Sequence, residues 1–341
     1  MNCRSTDMRH NDLSDRLIPD SEYIRENYLG SSNAAAVLGL GAYGATPLTV
    51  YQEKTGQATE ETDHGRELFL RRRKRWEGPI VEMLREEFDG QIVAVNRRYR
   101  DREDEFLAAE IDFEWLDHDG SVQNGEIKTV SPFAFGERHG WGDEGSDEIP
   151  IHYACQSMDG LMVTRRRACI IAAMVGLDSM IFYRLDRDEE VIAQMRIKLR
   201  DFWHNNVLAR VPPEPLNLED CKNLLLRMRG RPVEVDDHVA GLLDQYRQIK
   251  SSQKILDDQE KDIRLDILKF INRQWAFEPE AGVEDNAVLL RGGVQLASYN
   301  LQRSTRIDVT TLKEEAPEIA EKFSKTSQTR VLRLKAPKKG D

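Results

Sequence analysis

Two acidic residues and a lysine form the pattern in this sequence that is best suited to chemistry on a charged substrate. Asp112 is followed, fourteen residues later, by Glu126, Ile127 and Lys128. Carboxylate oxygens are hard ligands that hold Mg²⁺, and the backbone carbonyl of Ile127 would add another oxygen. A metal in such a site lowers the pKa of a water molecule and neutralises charge that develops on a phosphate. Lys128 could position the attacking water or stabilise the phosphorus transition state.

A β-hairpin is predicted to carry these residues. From residue 105 to 115 apolar and polar side chains alternate, which predicts a strand with Asp112 on the face opposite the apolar set. The turn sequence DHDG at 117–120 leads into a second strand over 121–130, in which Glu126 and Lys128 share a face. Another strand is predicted just before the hairpin, over 91–99.

A helix is predicted upstream of these strands, over 66–88. Its apolar residues recur at helical spacing from Ile80 to Phe88, and Glu77 lies on the same stripe. A carboxylate that faces the core must be paired, hydrogen-bonded or bound to a metal. A salt bridge to a nearby arginine is the alternative for Glu77, and Pro79 would interrupt a helical turn if it lay in the helix interior.

The elements after the hairpin complete a mixed sheet flanked by helices. A helix is predicted over 151–163, in which Tyr153 and Gln156 are three residues apart and therefore neighbours on one face. The two strands and the long helix that follow are predicted over 168–175, 180–185 and 189–211. The order of helices and strands predicts an α/β (α+β) fold with a mixed central sheet.

Changes in composition divide the chain. Residues 1–20 are polar and are predicted to form a flexible tail, and the proline-rich sequence VPPEP at 211–215 separates a domain over 21–212 from a C-terminal region over 213–335. The C-terminal region is predicted to contain a long charged helix (236–274), strands around Gly292 and Gly293, and a helix (312–323), before a basic tail (336–341). The long helix has interrupted, near-heptad apolar spacing, typical of an antiparallel hairpin or a partner-binding helix.

The composition is that of a globular protein. With 341 residues, 40% of them hydrophobic and 32% charged, the chain can bury a large core. A formal charge of −11 argues against coating nucleic acid through global positive potential. No apolar run predicts a membrane span or a secretion signal, so we expect a cytoplasmic protein. The cysteines are far apart and are expected to be reduced thiols: Cys3, Cys155, Cys169 and Cys221.

Several other prominent residues have ordinary explanations. Basic runs at 71–75, 97–102 and 165–167 are typical of solvated faces. His139 and Trp141 fall in a glycine-rich acidic segment that predicts a mobile surface loop. His152 is predicted to lie on a helix surface.

Five motifs occur in a fixed order along the first two thirds of the chain. Arg25 precedes GSSNAAAVLG at 30–39, and TPL at 46–48 precedes YQEKTG at 51–56. The next motifs are WEGPIV at 76–81, Asp112 with EIK at 126–128, and YACQ at 153–156. Together they resemble the PD-(D/E)XK nucleases, and among these the YqaJ-type viral recombinases related to phage lambda exonuclease. The chain departs from the family pattern at Arg73, where a glycine is common, and at Met158, which replaces a second glutamine.

The resemblance implies a PD-(D/E)XK nuclease core that hydrolyses DNA phosphodiesters with a metal. It implies Glu77, Asp112 and Glu126 as metal ligands beside the Ile127 carbonyl, Lys128 at the attacking water and Gln156 in support of the site. The expected cofactor is Mg²⁺, for which Mn²⁺ substitutes. The resemblance further implies contacts to DNA and its terminal 5′-phosphate from Arg25, Ser32 and Tyr153. A plain helix N-cap is an equally open role for Ser32.

The function implied is a phage or prophage exonuclease in a bacterial host. It would digest linear double-stranded DNA from its ends and expose single strands for an annealing protein. Because related exonucleases form rings around DNA, a homo-oligomer is a further expectation. Two alternatives remain open: an endonuclease of restriction or repair type, and a non-catalytic DNA-end or partner-binding module whose helix 236–274 recruits a recombination partner.

Overall fold

A computed structural model describes most of the chain in two compact units. The described residues are 13–58, 64–87, 91–176, 178–227, 230–274, 287–324, 326 and 330–335. One unit extends to Asn223 and the other starts at Leu224, within a helix. The domain limits predicted from the sequence, at 212–213, stay a prediction.

The first unit contains a six-stranded mixed sheet. Its strands are β1 (Leu29–Gly30), β2 (Ile92–Arg100), β3 (Leu107–Leu116), β4 (Val122–Val130), β5 (Ala168–Val175) and β6 (Ser179–Asp186). Strand β3 pairs antiparallel with β2 and with β4, and its first two residues pair parallel with β1. Strand β5 lies between β4, to which it is parallel, and β6, to which it is antiparallel. The predicted hairpin and mixed sheet are confirmed.

Helices surround this sheet. They are α1 (Ser31–Val37), α2 (Pro47–Lys54), α3 (His64–Lys74), α4 (Glu77–Glu87), α5 (Ile151–Thr164), α6 (Glu189–Asp201) and α7 (Leu218–Arg227), with a π-helical segment Phe202–Leu208 after α6. The order of α4 to α6 and the strands between them is the one predicted from the sequence.

The two faces of the sheet have different coverings. Helix α4 packs its apolar stripe, including Leu84, against Phe113 and Ile127 on one face. On the other face, α5 buries its second half and Asn124 of β4 lies against Gly160 of α5. Because side chains alternate along a strand, Asp112, Glu126 and Lys128 therefore belong to the face that α5 covers.

The N-terminal prediction needs correction. Residues 13–20 were predicted to belong to a flexible tail, but Leu13 and Ile18 are buried and the Ile18 amide donates to the Arg98 carbonyl at 2.9 Å. The Arg16 guanidinium also donates to the Val163 carbonyl at 3.0 Å. Apolar residues in this short polar segment find partners far along the chain, which local composition does not show. Residues 1–12, including Cys3, lie outside the described residues.

Two predicted helices are each divided. The helix predicted over 66–88 is interrupted between α3 and α4, so Pro79 is the third residue of α4, where its missing N–H costs no intrahelical hydrogen bond. The helix predicted over 312–323 is divided at Ala316, just before Pro317, into α9 (Val309–Glu315) and α10 (Pro317–Phe323). In both places a proline begins or nearly begins the new helix.

The second unit contains the long helix and the small strands that the sequence predicts. Helix α8 (Asp237–Gln274) is followed by β7 (Ala287–Arg291) and β8 (Val294–Tyr299), an antiparallel pair turned by Gly292 and Gly293. The predicted basic tail at 336–341 lies outside the described residues. None of the helices described is both long and apolar enough to cross a membrane.

Ion pairs account for much of the clustered basic charge. Arg98 pairs with Glu110 at 3.0 Å, and buried Arg166 pairs with Glu114 at 3.0 Å. These contacts join neighbouring elements, so two of the basic runs are not simply solvated faces as predicted. Cys155 and Cys169 are buried free thiols, as expected.

Candidate active site

Four side chains from three elements lie together on the face of the sheet that α5 covers. Lys128 Nζ on β4 donates to Glu126 Oε2 and to Gln156 Oε1, at 2.9 Å in each case. Gln156 Nε2 on α5 donates to the same Glu126 oxygen at 3.0 Å. Asp112 on β3 accepts a hydrogen bond from the backbone amide of Ile127 at 2.8 Å. The residues predicted from the D…ExK pattern and the YACQ motif therefore meet.

The end of the β3–β4 ladder creates the opening for this cluster. The ladder runs from Leu116 and Val122 to Phe113 and Gly125, and at the next step the Asp112 carboxylate receives the Ile127 N–H. At Gly125 a Cβ atom would lie 2.3 Å from the Phe113 ring, so a glycine is required for the two strands to approach there. Gly125, just before Glu126, is a positioning residue that the sequence pattern does not mark.

Burial and charge determine the protonation of the cluster. The side chains of Glu126 and Lys128 are only 3% and 11% exposed. Burial alone would lower the pKa of Lys128, but the negative charges of Glu126 and Asp112 outweigh it and raise that pKa. Burial, followed by repulsion from Glu126, raises the pKa of Asp112 well above its usual range. Lys128 is therefore a cation at neutral pH. Its positive charge does not offset the burial of Asp112 and the repulsion between Asp112 and Glu126, so the pKa of Asp112 stays high.

The donor set fits a hard divalent cation only in part. Asp112 and Glu126 offer carboxylate oxygens from adjacent strands, which is the ligand type that Mg²⁺ prefers. Within the described residues, however, no three His, Cys, Asp or Glu side chains converge closely enough to hold a metal ion. Water and substrate oxygens complete most Mg²⁺ sites, so two carboxylates are a workable minimum. The predicted Ile127 carbonyl ligand stays a prediction.

Glu77 is not brought into the cluster. It is the first residue of α4, the helix on the opposite face of the sheet, and it is half-buried. Burial raises its pKa, Lys74 opposes this, and Glu110 and Glu126 raise it further. Glu77 thus senses the charges of the site, but no hydrogen bond or ion pair joins it to Asp112 or Glu126 among the residues described.

Aromatic rings border the lysine. Lys128 Nζ lies 4.9 Å from the centre of the Tyr153 ring, and Tyr153 packs against Trp141 and His152 at 5.7 and 4.0 Å between ring centres. Trp141 was predicted to lie in a mobile surface loop, but it is only 2% exposed because it also packs on Tyr183. His152 is half-buried rather than at a plain helix surface, and its Nε2 has no hydrogen-bond partner among the described residues.

The two residues predicted to bind a terminal phosphate make no hydrogen bond or ion pair with the cluster among the described residues. Arg25 is 62% exposed and pairs with Glu53 at 2.7 Å. Ser32 is exposed in the first turn of α1, whose N-cap is Gly30, so the N-cap role proposed for Ser32 is wrong. Asn33 accepts from the Gly30 amide instead, because its side chain reaches back over the first turn. A phosphate role for Arg25 and Ser32 stays a prediction.

Arg73 of α3 reaches the end of β4, a contact that the sequence does not predict. The Arg73 guanidinium donates to the backbone carbonyl of Thr129, next to Lys128. The sequence signal for Arg73 was its place in the basic run at 71–75, which composition alone could not distinguish from a solvated face. Helix α3 therefore presents positive charge next to the cluster.

Comparison with known proteins agrees with these motifs. Residues 22–167 match the family model of the YqaJ-like viral recombinase domain, a segment that includes Asp112, Glu126, Lys128 and Gln156. This part of the chain is therefore similar to the YqaJ-like viral recombinase domain, in agreement with the resemblance stated from the motifs. The chain is also similar over nearly its whole length to a Bacillus subtilis (strain 168) protein described as uncharacterized protein YqaJ, with 25% identity over 94% of this chain and 97% of the relative.

Solved structures with similarity to the chain include an alkaline exonuclease from Laribacter hongkongensis. It is 17% identical, covers 55% of this chain and 91% of its own, and aligns with a TM-score of 0.36. The same exonuclease in complex with dAMP aligns over the same shares of both chains with a TM-score of 0.37.

Proposed function

We propose that this protein is a metal-dependent DNA exonuclease of phage-type recombination, which digests linear double-stranded DNA from its ends. The observation that carries the proposal is the hydrogen-bonded cluster of Glu126, Lys128 and Gln156 beside the Asp112 carboxylate. The YqaJ-like viral recombinase domain, which spans all four residues, supports a role in DNA recombination.

Asp112 and Glu126 are the proposed metal ligands, with Mg²⁺ as the expected ion and Mn²⁺ as a substitute. A bound Mg²⁺ supplies positive charge that lowers the pKa of a water molecule and stabilises charge on phosphate oxygens. Its binding would also offset the repulsion that raises the pKa of Asp112. Glu77, the first residue of α4, is the third proposed metal ligand, and the charges of Glu126 and Lys128 both act on its pKa.

Lys128 is proposed to orient the attacking water or to stabilise the phosphate. An ammonium has three N–H donors, and two of them are used by Glu126 and Gln156. The third is left for a water molecule or a phosphate oxygen. Since its pKa is raised, Lys128 acts as a hydrogen-bond donor and a positive charge rather than as a general base.

DNA would approach along the exposed side of this cluster. Arg73 and the half-buried Tyr153 ring border Lys128, and we propose that Tyr153 contacts the substrate. Arg25 and Ser32 are proposed to bind a terminal 5′-phosphate. For Arg25 this would require exchange of Glu53 for the phosphate as its partner. A single-strand annealing protein is the proposed recipient of the product.

The test compares linear duplex DNA with the same DNA as a covalently closed circle, with Mg²⁺ or EDTA. We expect Mg²⁺-dependent loss of the linear DNA alone, and no loss with Glu126→Gln. Asp119→Asn is the matched control, since Asp119 is an acid in the exposed turn after β3 and should leave the rate unchanged. Cutting of the circle would favour an endonuclease, and no cleavage of either DNA would favour a binding module.

A further inference from the structure

Helix α8 carries a line of exposed apolar residues along nearly its whole length. It has 38 residues and is therefore about 57 Å long at 1.5 Å per residue. Ten positions alternately three and four residues apart follow one face, and eight of them are apolar. These ten positions, the α8 seam, are Val239, Leu242, Tyr246, Ile249, Gln253, Leu256, Glu260, Ile263, Ile267 and Phe270. This is the heptad a and d pattern of a coiled coil.

The α8 seam is exposed to solvent. Apart from the half-buried Tyr246, its apolar side chains are between 38% and 63% exposed. Charged residues lie on the opposite face, where Arg247 pairs with Asp244 and Lys261 pairs with Asp258 within the helix. An isolated helix with such a seam gains stability when the apolar line is covered, so the pattern indicates a helical partner.

We propose that α8 pairs with α8 of a second copy of this chain, in an antiparallel two-stranded coiled coil centred between Lys254 and Ile255. In this register each of the ten positions of the α8 seam faces a seam position of the other copy. The five pairs, each formed twice by symmetry, are Val239 with Phe270, Leu242 with Ile267, Tyr246 with Ile263, Ile249 with Glu260, and Gln253 with Leu256. A two-fold interface of this kind closes on itself as a dimer.

Charged residues at the edges of the α8 seam favour antiparallel over parallel pairing of the two helices. In the antiparallel register, Lys250 of each copy flanks Asp257 of the other, which gives two attractive pairs. In a parallel register, Glu260 would face Glu260 across the seam, and like charges there are destabilising. The antiparallel arrangement places Glu260 against Ile249 of the second copy, next to its Lys250. The helix is therefore complementary to itself in one direction, which favours a second copy over an unrelated helix as the partner.

The first experiment measures the mass of the full chain by sedimentation at several micromolar concentrations. We expect wild-type particles of twice the chain mass of 39.3 kDa, or a higher even multiple, and half that mass for Ile249→Asp. Ile255→Asp is the matched control. It introduces the same charge at a residue that is 56% exposed, compared with 55% for Ile249, but lies off the α8 seam. A monomeric wild type, or equal effects of both substitutions, would overturn the proposal.

The second experiment tests the direction through charge exchange. Lys250→Asp and Asp257→Lys should each weaken self-association roughly tenfold, since each turns two attractive pairs into repulsive ones, and the double variant should restore it. In a parallel dimer Lys250 would face Gln245 and Asp257 would face Ser252, so the exchange would have little effect. Unchanged association of the single variants would overturn the antiparallel arrangement. Circular dichroism checks that each variant is folded. The proposal does not depend on nuclease activity.

Discussion

The Asp112 carboxylate on β3 holds the backbone amide of Ile127 on β4, with 2.8 Å between Oδ2 and N. This bond lies directly beyond the last ladder pair of the two strands, Phe113 with Gly125. Where the two strands carry their acidic residues, a side-chain carboxylate therefore replaces a backbone carbonyl as the acceptor of the hydrogen bond between the strands. Asp112 consequently has a structural task as well as its proposed chemical one, and substitutions can separate the two.

Asp112→Asn is expected to retain the fold and lose activity. The amide oxygen can still accept from Ile127, while loss of the charge removes a proposed metal ligand and relieves repulsion by Glu126. We expect cleavage to fall at least ~100-fold, which corresponds to about 2.7 kcal/mol, with an unchanged or higher melting temperature. Asp112→Ala should lose both activity and stability. Initial rates and thermal melts measure the difference, and near-wild-type cleavage by Asp112→Asn would exclude Asp112 from the chemistry.

Local patterns predicted the hairpin well. The alternation over 105–115 and the turn at 117–120 depend on neighbouring residues, so a strand of period two and its turn can be read from the sequence. The face shared by Glu126 and Lys128 follows from the same period. The burial of Trp141, Leu13 and Ile18 depends on partners distant in sequence, and composition predicted the opposite.

In the candidate site, too, contacts between residues distant in sequence could not be predicted from local patterns. The motif order identified Gln156, but nothing local shows that its amide reaches both Glu126 and Lys128. Glu77 lies on an apolar stripe and was expected near the carboxylates. The structure starts α4 at Glu77, and burial together with the charge of Glu126 raises the pKa of Glu77, but no hydrogen bond or ion pair joins the two among the described residues. Residue type and spacing thus predicted the cluster on β3 and β4. The position of Glu77 relative to that cluster depends instead on how a separate helix, α4, packs on the sheet.

Gln156 is expected to be a positioning residue, because it donates to Glu126 and accepts from Lys128 with one side-chain amide. Gln156→Glu loses the donor and adds a negative charge, so we expect kcat to fall about 100-fold with little change in KM for DNA. Gln156→Met removes both hydrogen bonds without adding charge and should be less impaired. Steady-state kinetics on linear duplex DNA test this order. Wild-type kcat in both variants would show that the amide does not position the pair.

Gly125 is expected to tolerate no side chain. A Cβ at this position would lie 2.3 Å from the Phe113 ring, one residue before Glu126. Gly125→Ala should lower the free energy of unfolding by about 1–3 kcal/mol and impair cleavage, because the Phe113 ring or the strand must shift. Gly78→Ala is the control, since no atom lies within 4 Å of its added Cβ. Denaturant unfolding compares the two, and equal stability of both variants would contradict the close approach.

Asp159 gives the protein a dependence of stability on pH. It lies on α5, fully buried, and accepts a hydrogen bond from Ser31 on α1 at 2.7 Å. Burial raises the pKa of Asp159 to about 7, although the Ser31 hydroxyl opposes this shift. In the unfolded chain the same carboxyl has a pKa of about 3.9. The folded state therefore holds a proton between these two values that the unfolded state has released.

The free energy of unfolding should consequently fall as the pH rises from about 4 to about 7, and the contribution of Asp159 should be constant at higher pH. At about 1.4 kcal/mol per pKa unit the loss is at most roughly 4 kcal/mol. Asp159→Asn, which stays neutral, should flatten this slope and stabilise the protein at pH 8. Ser31→Ala removes the hydrogen bond that favours the charged form and so raises the pKa of Asp159 further, and the decline should therefore continue to a higher pH than in the wild type. Denaturant unfolding across this pH range measures all three chains, and parallel curves for wild type and Asp159→Asn would show that Asp159 does not titrate in this range.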